Sequence, residues 1–303
     1  MTATVWGQDE QLVEPFVQVA AFKAHPTYLD LANLRFGTSS SADQDAELYN
    51  CLLLASAYVE NFCQQPIQGH VATDNQRVYP DRQGRLFLYP DHAPVRTVLS
   101  YSSGRTIAQL VTVTSPPWWP EDGRQIMVEM TGAANVSWTG SLSNLGGPVA
   151  GVELLTSVNY VAGYANATLT ATANQAATSI SVTNPTAIFA GDILRLWDPG
   201  LEESVIVAPS WAGQNTSPYT SAAIPLVSPL VHTHAAGVGV TGFDGNLTLA
   251  TIYFTVDGLQ RWGTSSNEWP KAKVKSATGK RTEDATAWEQ KAMRLLLSYR
   301  RSR

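Results

Sequence analysis

His232 and His234 stand two residues apart in "PLVHTHAAGVGV". On a strand that spacing puts both imidazoles on one face, where they could share a metal ion. A zinc site wants three or four protein ligands, and no third lies close by in the sequence, so the segment reads as a surface turn and no metal is assigned. The acidic pairs Glu202/Glu203 and Glu121/Asp122 fall in turn-forming stretches. General acid-base work needs a partner group within hydrogen-bond reach, and spacing identifies no His or Lys neighbour, so these carboxylates are expected to be solvated. The sequence contains no GxxxxGK[ST], HExxH, GxSxG or CxxC motif. The expectation is a protein that is not an enzyme and uses no cofactor.

The chemistry that remains is adhesive. In the closing stretch "WEQKAMRLLLSYRRSR", Trp288, Ala292, Met293, Leu295, Leu296, Leu297 and Tyr299 spread over about half of a helix circumference, while Lys291, Arg294 and Arg301 share the remaining stripe. A helix packed on its own domain needs an apolar stripe of about 100°. The wider arc here predicts cover from more than one side, and hence a partner. Trp118 and Trp119 in "SPPWWPEDGR" sit in a proline-bounded stretch expected to be a loop, where one of the pair lids its own core.

Charge is divided along the chain. Residues 1–258 carry 9 Lys+Arg against 21 Asp+Glu, net −12, whereas residues 259–303 carry 11 against 4, net +7. A basic tail on an acidic body points to an anionic partner, either nucleic acid or an acidic protein surface. No apolar run is long enough to span a membrane, and the first residues lack the pattern of a signal peptide. Cys51 and Cys63 fall in one predicted helix, separated by about 18 Å of rise, which is too far for a disulfide.

The elements that must position these residues follow from periodicity. "HPTYLDLANLRFG" is expected to be a short helix opening near Pro26 and closing at Gly37. "SSSADQDAELYNCLLLASAYVENFC" is a longer one, capped by Ser41 or Asp43, with Leu48, Leu52, Ala55, Val59 and Phe62 at helical spacing. "QRVYP", "RLFLYP", "VRTVLSY", "QLVTVT", "QIMVEM" and "ELLTSVNYVAGY" read as strands. Residues 166–244 are rich in Ala, Thr and Ser, contain Arg195 as their sole Lys or Arg, and alternate in "TSISVTN", "GDILRLWD" and "ESVIVAP", the pattern of a small β sandwich or barrel. "NLTLATIYFTVDGLQRWG" suits a strand by its β-branched content and a helix by its length, with Asn246 as cap and Gly263 as terminator. "KAKVKSATGK" reads as loosely structured, with Thr282 or Asp284 starting the last helix. The expected class is α+β: a small helical bundle with β-hairpins and a short antiparallel sheet (residues 1–165 and 245–303), plus an inserted all-β sandwich- or barrel-like domain (166–244).

The order "LANLRFG", "DAELYNCLLLASAYVENFCQQPI", "RLFLYPDHAPVRTVLSY", "VNYVAGY" and a closing "LLLSYRR" resembles the head-to-tail connector (adaptor) proteins of long-tailed bacteriophages. The likeness covers residues 26–165 and 246–303; residues 166–244 depart from it, and it favours helix for "NLTLATIYFTVDGLQRW". It implies a homomeric ring in the virion neck, dodecameric in the family, assembled in the host cytoplasm. Such a ring stacks between the portal protein and a tail-side stopper or completion protein, and genomic DNA passes through it without sequence-specific binding. Portal contact is expected from Trp288, Lys291, Arg294, Leu295, Leu296, Tyr299, Arg300, Arg301 and Arg303. Rival expectations are a tail terminator or completion ring, a carbohydrate-binding virion module with Trp197 or Trp211 as stacking platform, and a sequence-independent DNA binder using the basic tail.

Overall fold

A computed structural model describes residues 14–27, 29–31, 34, 40–81, 85–114, 118–121, 123–129, 153–215, 219–260, 273–274 and 285–300. The fold is α+β with antiparallel sheets throughout. The chain divides into two compact units, one built on Gly69–Gly163 and the other on Gln11–Gln68, Tyr164–Gln214 and Pro218–Arg303.

The first unit is all β. Strands β2 (His70–Val78), β4 (Val95–Gly104), β5 (Val111–Thr114) and β8 (Leu154–Ala162) form a sheet in the order β2-β8-β4-β5, and β3 (Arg85–Leu88), β6 (Trp118–Glu121) and β7 (Gln125–Glu129) form another in the order β3-β7-β6. Along β8, Leu154, Thr156, Val158 and Tyr160 alternate inward, the period-2 pattern that one buried face imposes. Leu154, Val158 and Tyr160 join Leu86, Leu88, Ile126 and Val128 in one core. The stretch with Trp118 and Trp119, expected to be a loop, is an edge strand instead. Pro120 is compatible with that position because an edge strand need not donate on both sides. The turn into β7 needs Gly123: its φ is +64°, and a Cβ there would lie 3.1 Å from the Pro94 Cβ.

The second unit combines helices with the Ala/Thr/Ser-rich block. Helix α1 (Val19–Ala24) stops before Pro26, and His25 is already extended (φ −71°, ψ 137°). The residue before a proline is pushed out of the α region, so Pro26 ends a preceding helix rather than opening the expected one. Leu29–Asp30 (β1) instead pairs with Lys273–Val274 (β15), part of the stretch expected to be loose. Gly37, Gly263, Thr282 and Asp284 lie outside the described residues. Helix α2 (Ser41–Cys63) is capped one residue earlier than expected, by Ser40, whose Oγ accepts from the Asp43 amide at 3.2 Å. It ends at Gln64 in the left-handed region. Cys51 and Cys63 are both free and buried.

The ambiguous apolar run is helix α3 (Gly245–Gln260). Its cap is Asp244 rather than Asn246: Oδ1 accepts from the amides of Asn246 (3.0 Å) and Leu247 (3.3 Å). Buried Thr251 and Thr255 satisfy their hydroxyls on the carbonyls of Leu247 and Thr251, four residues back. Helix is tolerated in so β-branched a run because α3 is buried on more than one side. Ile252, Val256 and Leu259 meet Leu48 and Leu52 of α2, while Leu247 and Ala250 meet Val59 and Cys63.

Within 166–244, strands β9 (Asn166–Thr168), β11 (Ile193–Trp197), β12 (Glu203–Ile206) and β14 (Gly239–Thr241) form a sheet in the order β12-β11-β14-β9, and β10 (Ser179–Val182) pairs with β13 (Ala222–Pro225). Ala167, Leu194, Leu196, Val205 and Val240 of the sheet share a core with Ile180, Val182 and Ile224 of the ribbon. The block thus has a core made from its own residues. It is tied to the start of the unit through Glu14, whose Oε1 accepts from Thr183 Oγ1 at 2.6 Å and whose carbonyl accepts from Asn166 Nδ2 at 3.0 Å.

Leu52 is fully buried in α2, whereas Leu54, two residues on, is 41% exposed. Leu52→Ala should cost about 2–5 kcal/mol in chemical denaturation, and Leu54→Ala less than about 1 kcal/mol.

Candidate docking surface at the C-terminal helix

Helix α4 (Ala285–Leu295) runs into a turn that reaches Arg300. Ala292 and Leu296 are fully buried, in a cluster with Val59, Cys63, Ile67, Leu247 and Ala250. One turn earlier, on nearly the same face of the helix, Trp288 leans on Tyr253 of α3, with ring centroids 5.0 Å apart. The Lys291 ammonium sits 4.7 Å from the Trp288 ring centroid, on a cation-π contact. Beyond the helix, Tyr299 packs edge-on to Tyr164 at 6.0 Å, and its carbonyl accepts from Gln65 Nε2 at 2.9 Å. Burial, then the Asp244 carboxylate to which it hydrogen-bonds, raises the Tyr299 phenol well above its ordinary value. The Arg300 guanidinium lies 5.7 Å over the Phe62 ring.

The chain itself thus covers Trp288, Ala292, Leu296 and Tyr299 of the apolar arc and leaves Leu297 exposed. Leu296, expected at a portal contact, belongs to the core. Trp288, Lys291, Leu295 and Tyr299 are half-buried, and Arg294 and Arg300 are exposed. Arg301 and Arg303 lie outside the described residues. Leu297, part of the apolar arc but not among the expected portal contacts, is 61% exposed. It stands between Arg294 and Arg300 at steps of three, so one exposed leucine is flanked by two exposed cations. The i, i+3 spacing was the signal that could have found it.

The seat of this helix carries one perturbed acid. Glu60 Oε1 accepts from the amides of Ile67 (2.9 Å) and Gln68 (3.3 Å), closing the chain after α2. Burial, only partly opposed by those two hydrogen bonds, pushes its carboxyl up to about 7. Burial likewise raises the Cys51 and Cys63 thiols to about 12, so neither is a nucleophile at neutral pH.

Elsewhere the structure assembles side chains that spacing did not connect. His234, expected in a surface turn, is fully buried, with Nδ1 3.0 Å from Asp198 Oδ2 and Nε2 2.7 Å from Glu203 Oε1. Glu203, expected to be solvated, also accepts from the amides of Val231 and His232, which holds its carboxyl below the ordinary value against the upward push of burial. In the first unit, His70 Nε2 lies 2.8 Å from His92 Nδ1, and Tyr160 donates to Asp74 at 2.7 Å. Among the described residues no group of three or more His, Cys, Asp and Glu is placed to hold a metal ion. Among them, no helix is long and apolar enough to cross a membrane. Gly237, Gly239 and Gly242 have the G-x-G-x-x-G spacing, but Gly239 lies inside antiparallel strand β14, not in a loop between a parallel strand and a helix. Trp211 packs on the β core and donates to the Ile188 carbonyl, while Trp197 donates to Thr241 and has Arg195 over its ring.

No protein-family model matches the chain, and no curated protein matches it. Among solved structures, the chain is similar to one from the neck of an empty GTA particle computed with C6 symmetry, at 13% identity and a TM-score of 0.34, over 96% of this chain and 97% of that one. Likeness at this level does not establish a shared fold.

Glu60 sets a pH dependence. Its folded-state value of about 7 exceeds the unfolded carboxylate value, so the native state holds the extra proton. The stability it contributes is complete at pH below about 4.5 and is lost as pH rises to about 7. Glu60→Gln, which keeps an acceptor for the Ile67 amide, should flatten that segment of a denaturation-versus-pH curve.

Proposed function

We propose that the protein is a structural component of a virion neck: a head-to-tail adaptor that forms a homomeric ring between the portal and tail-side proteins and lines the DNA exit channel. The observation that carries this reading is the exposed Arg294–Leu297–Arg300 set, at the end of α4 and in the turn that follows it, on a segment anchored in the core by Ala292 and Leu296. It lies in the basic segment of an otherwise acidic chain. The anchoring gives the stripe a fixed geometry, and the order of sequence motifs supplies the partner's identity. The helix docks on the portal through this stripe, aided by Lys291, Arg301 and Arg303.

Magnitudes divide the work. Burying Leu297 contributes about 1.5–3 kcal/mol, whereas each exposed ion pair contributes about 0–1 kcal/mol. Apolar contact thus supplies affinity per residue, and the arginines set orientation and encounter rate on an acidic portal surface. An acidic body suits a bore through which DNA slides, because Lys and Arg contacts to phosphate would hold it.

The test is co-sedimentation of the full-length protein with portal rings. Leu297→Asp and the double variant Arg294→Glu/Arg300→Glu should each weaken binding by about tenfold or more; Leu297→Asp should leave thermal unfolding unchanged, and the double variant should lose no more than the exposed Arg300–Phe62 contact, about 0.5–1 kcal/mol. Undiminished binding by both variants sinks the docking reading.

A further inference from the structure

A second surface of the helical unit is unfinished in the single chain. Helices α1 and α3 and the loop after β11 enclose a groove of about 390 Å³, with walls that include Ala24, His25, Trp197, Glu202, Thr248 and Leu249. Its lining is largely apolar, which is the composition of a surface that gains from being covered. Two of its polar atoms, His25 Nδ1 and Thr248 Oγ1, are buried and have no hydrogen-bond partner among the described residues. Buried polar groups are normally paired, and each exception marks a missing partner or water. Glu202 is exposed and supplies a carboxylate. The block that provides Trp197 and Glu202, residues 166–244, holds five acids against the single cation Arg195.

We propose that this groove is the socket of a head-to-tail contact, occupied by a cationic, apolar-bearing surface of a second copy of the chain. Charge complementarity chooses the occupant: residues 259–303 carry net +7, so every copy brings both an apolar socket edged by the Glu202 carboxylate and a basic segment to fill it. Unlike surfaces meeting in this way make a heterologous interface, which closes into a ring when the rotation between copies permits. A self-paired, two-fold contact would instead bring two acidic blocks together. The inference rests on the ring reading for closure, but the socket can be tested alone.

Sedimentation velocity of the full-length protein over a range of concentrations gives the answer. Wild type should associate, and less strongly at about 500 mM salt than at about 50 mM, where the screening length is several-fold longer. Ala24→Trp, which fills the groove from an exposed position, and Glu202→Lys, which reverses its charge, should each raise the dissociation constant by about tenfold or more. Portal co-sedimentation of the same variants separates the two readings, because Glu202→Lys monomers that still bind portal rings support the socket and leave portal docking intact. A wild type that stays monomeric at every concentration overturns the socket. So does association unchanged in both variants, and in that case the ring reading survives with its interface elsewhere.

Discussion

Burial of Ala292 and Leu296 against Val59, Cys63, Leu247 and Ala250 is the contact on which the C-terminal surface depends. The segments α2, α3 and α4 are far apart in sequence, and this cluster, with the neighbouring one of Leu48, Leu52, Ile252, Val256 and Trp288, brings them together. Two fully buried side chains at i and i+4 fix the rotation of α4 about its axis. Once rotation is fixed, Arg294 faces outward, and in the turn beyond the helix Leu297 is exposed while Arg300 lies over Phe62 at the surface. The exposed stripe is thus a consequence of the core.

The same cluster explains an arc that is wider than a single contact needs. The face of α4 that carries Trp288, Ala292 and Leu296 is taken by Tyr253 and the interior, and the turn beyond it by Tyr164, Gln65 and Phe62. Lys291 and Arg300 lay their charges over aromatic rings while keeping them near water. Cations near the helix end also oppose the negative end of its dipole, a few tenths of a kcal/mol each. Basic and greasy character therefore coexist in one helix because the two kinds of side chain face different media.

The β block solves a different problem. With few charged side chains of its own, it secures its last loop by a buried histidine between two carboxylates, one of which also takes two backbone amides. A fully satisfied polar cluster of this kind specifies one loop conformation where an apolar contact would tolerate several. The first unit uses alternation instead, with β8 at the centre of its sheet and a core shared with the three-stranded sheet.

Sequence by itself determined the elements whose pattern is local. The 3.6-residue period of Leu48, Leu52, Ala55 and Val59 made α2 legible, and period-2 alternation did the same for β10, β11 and β12, because burial of one face writes its repeat directly into the chain; β4 and β8 were legible from their β-branched and aromatic content. The division of charge and the basic C-terminal segment were legible too, since they need only counting. Tertiary structure alone decided what depends on partners distant in the chain. Pro26 ended one helix instead of starting another, the Trp118–Trp119 stretch became an edge strand because β7 was there to pair with it, and Leu296 went inward while Leu297 stayed out. His234 could not be matched to Glu203 across 31 residues by any spacing rule, because the loops that bring them together are placed by packing and not by periodicity.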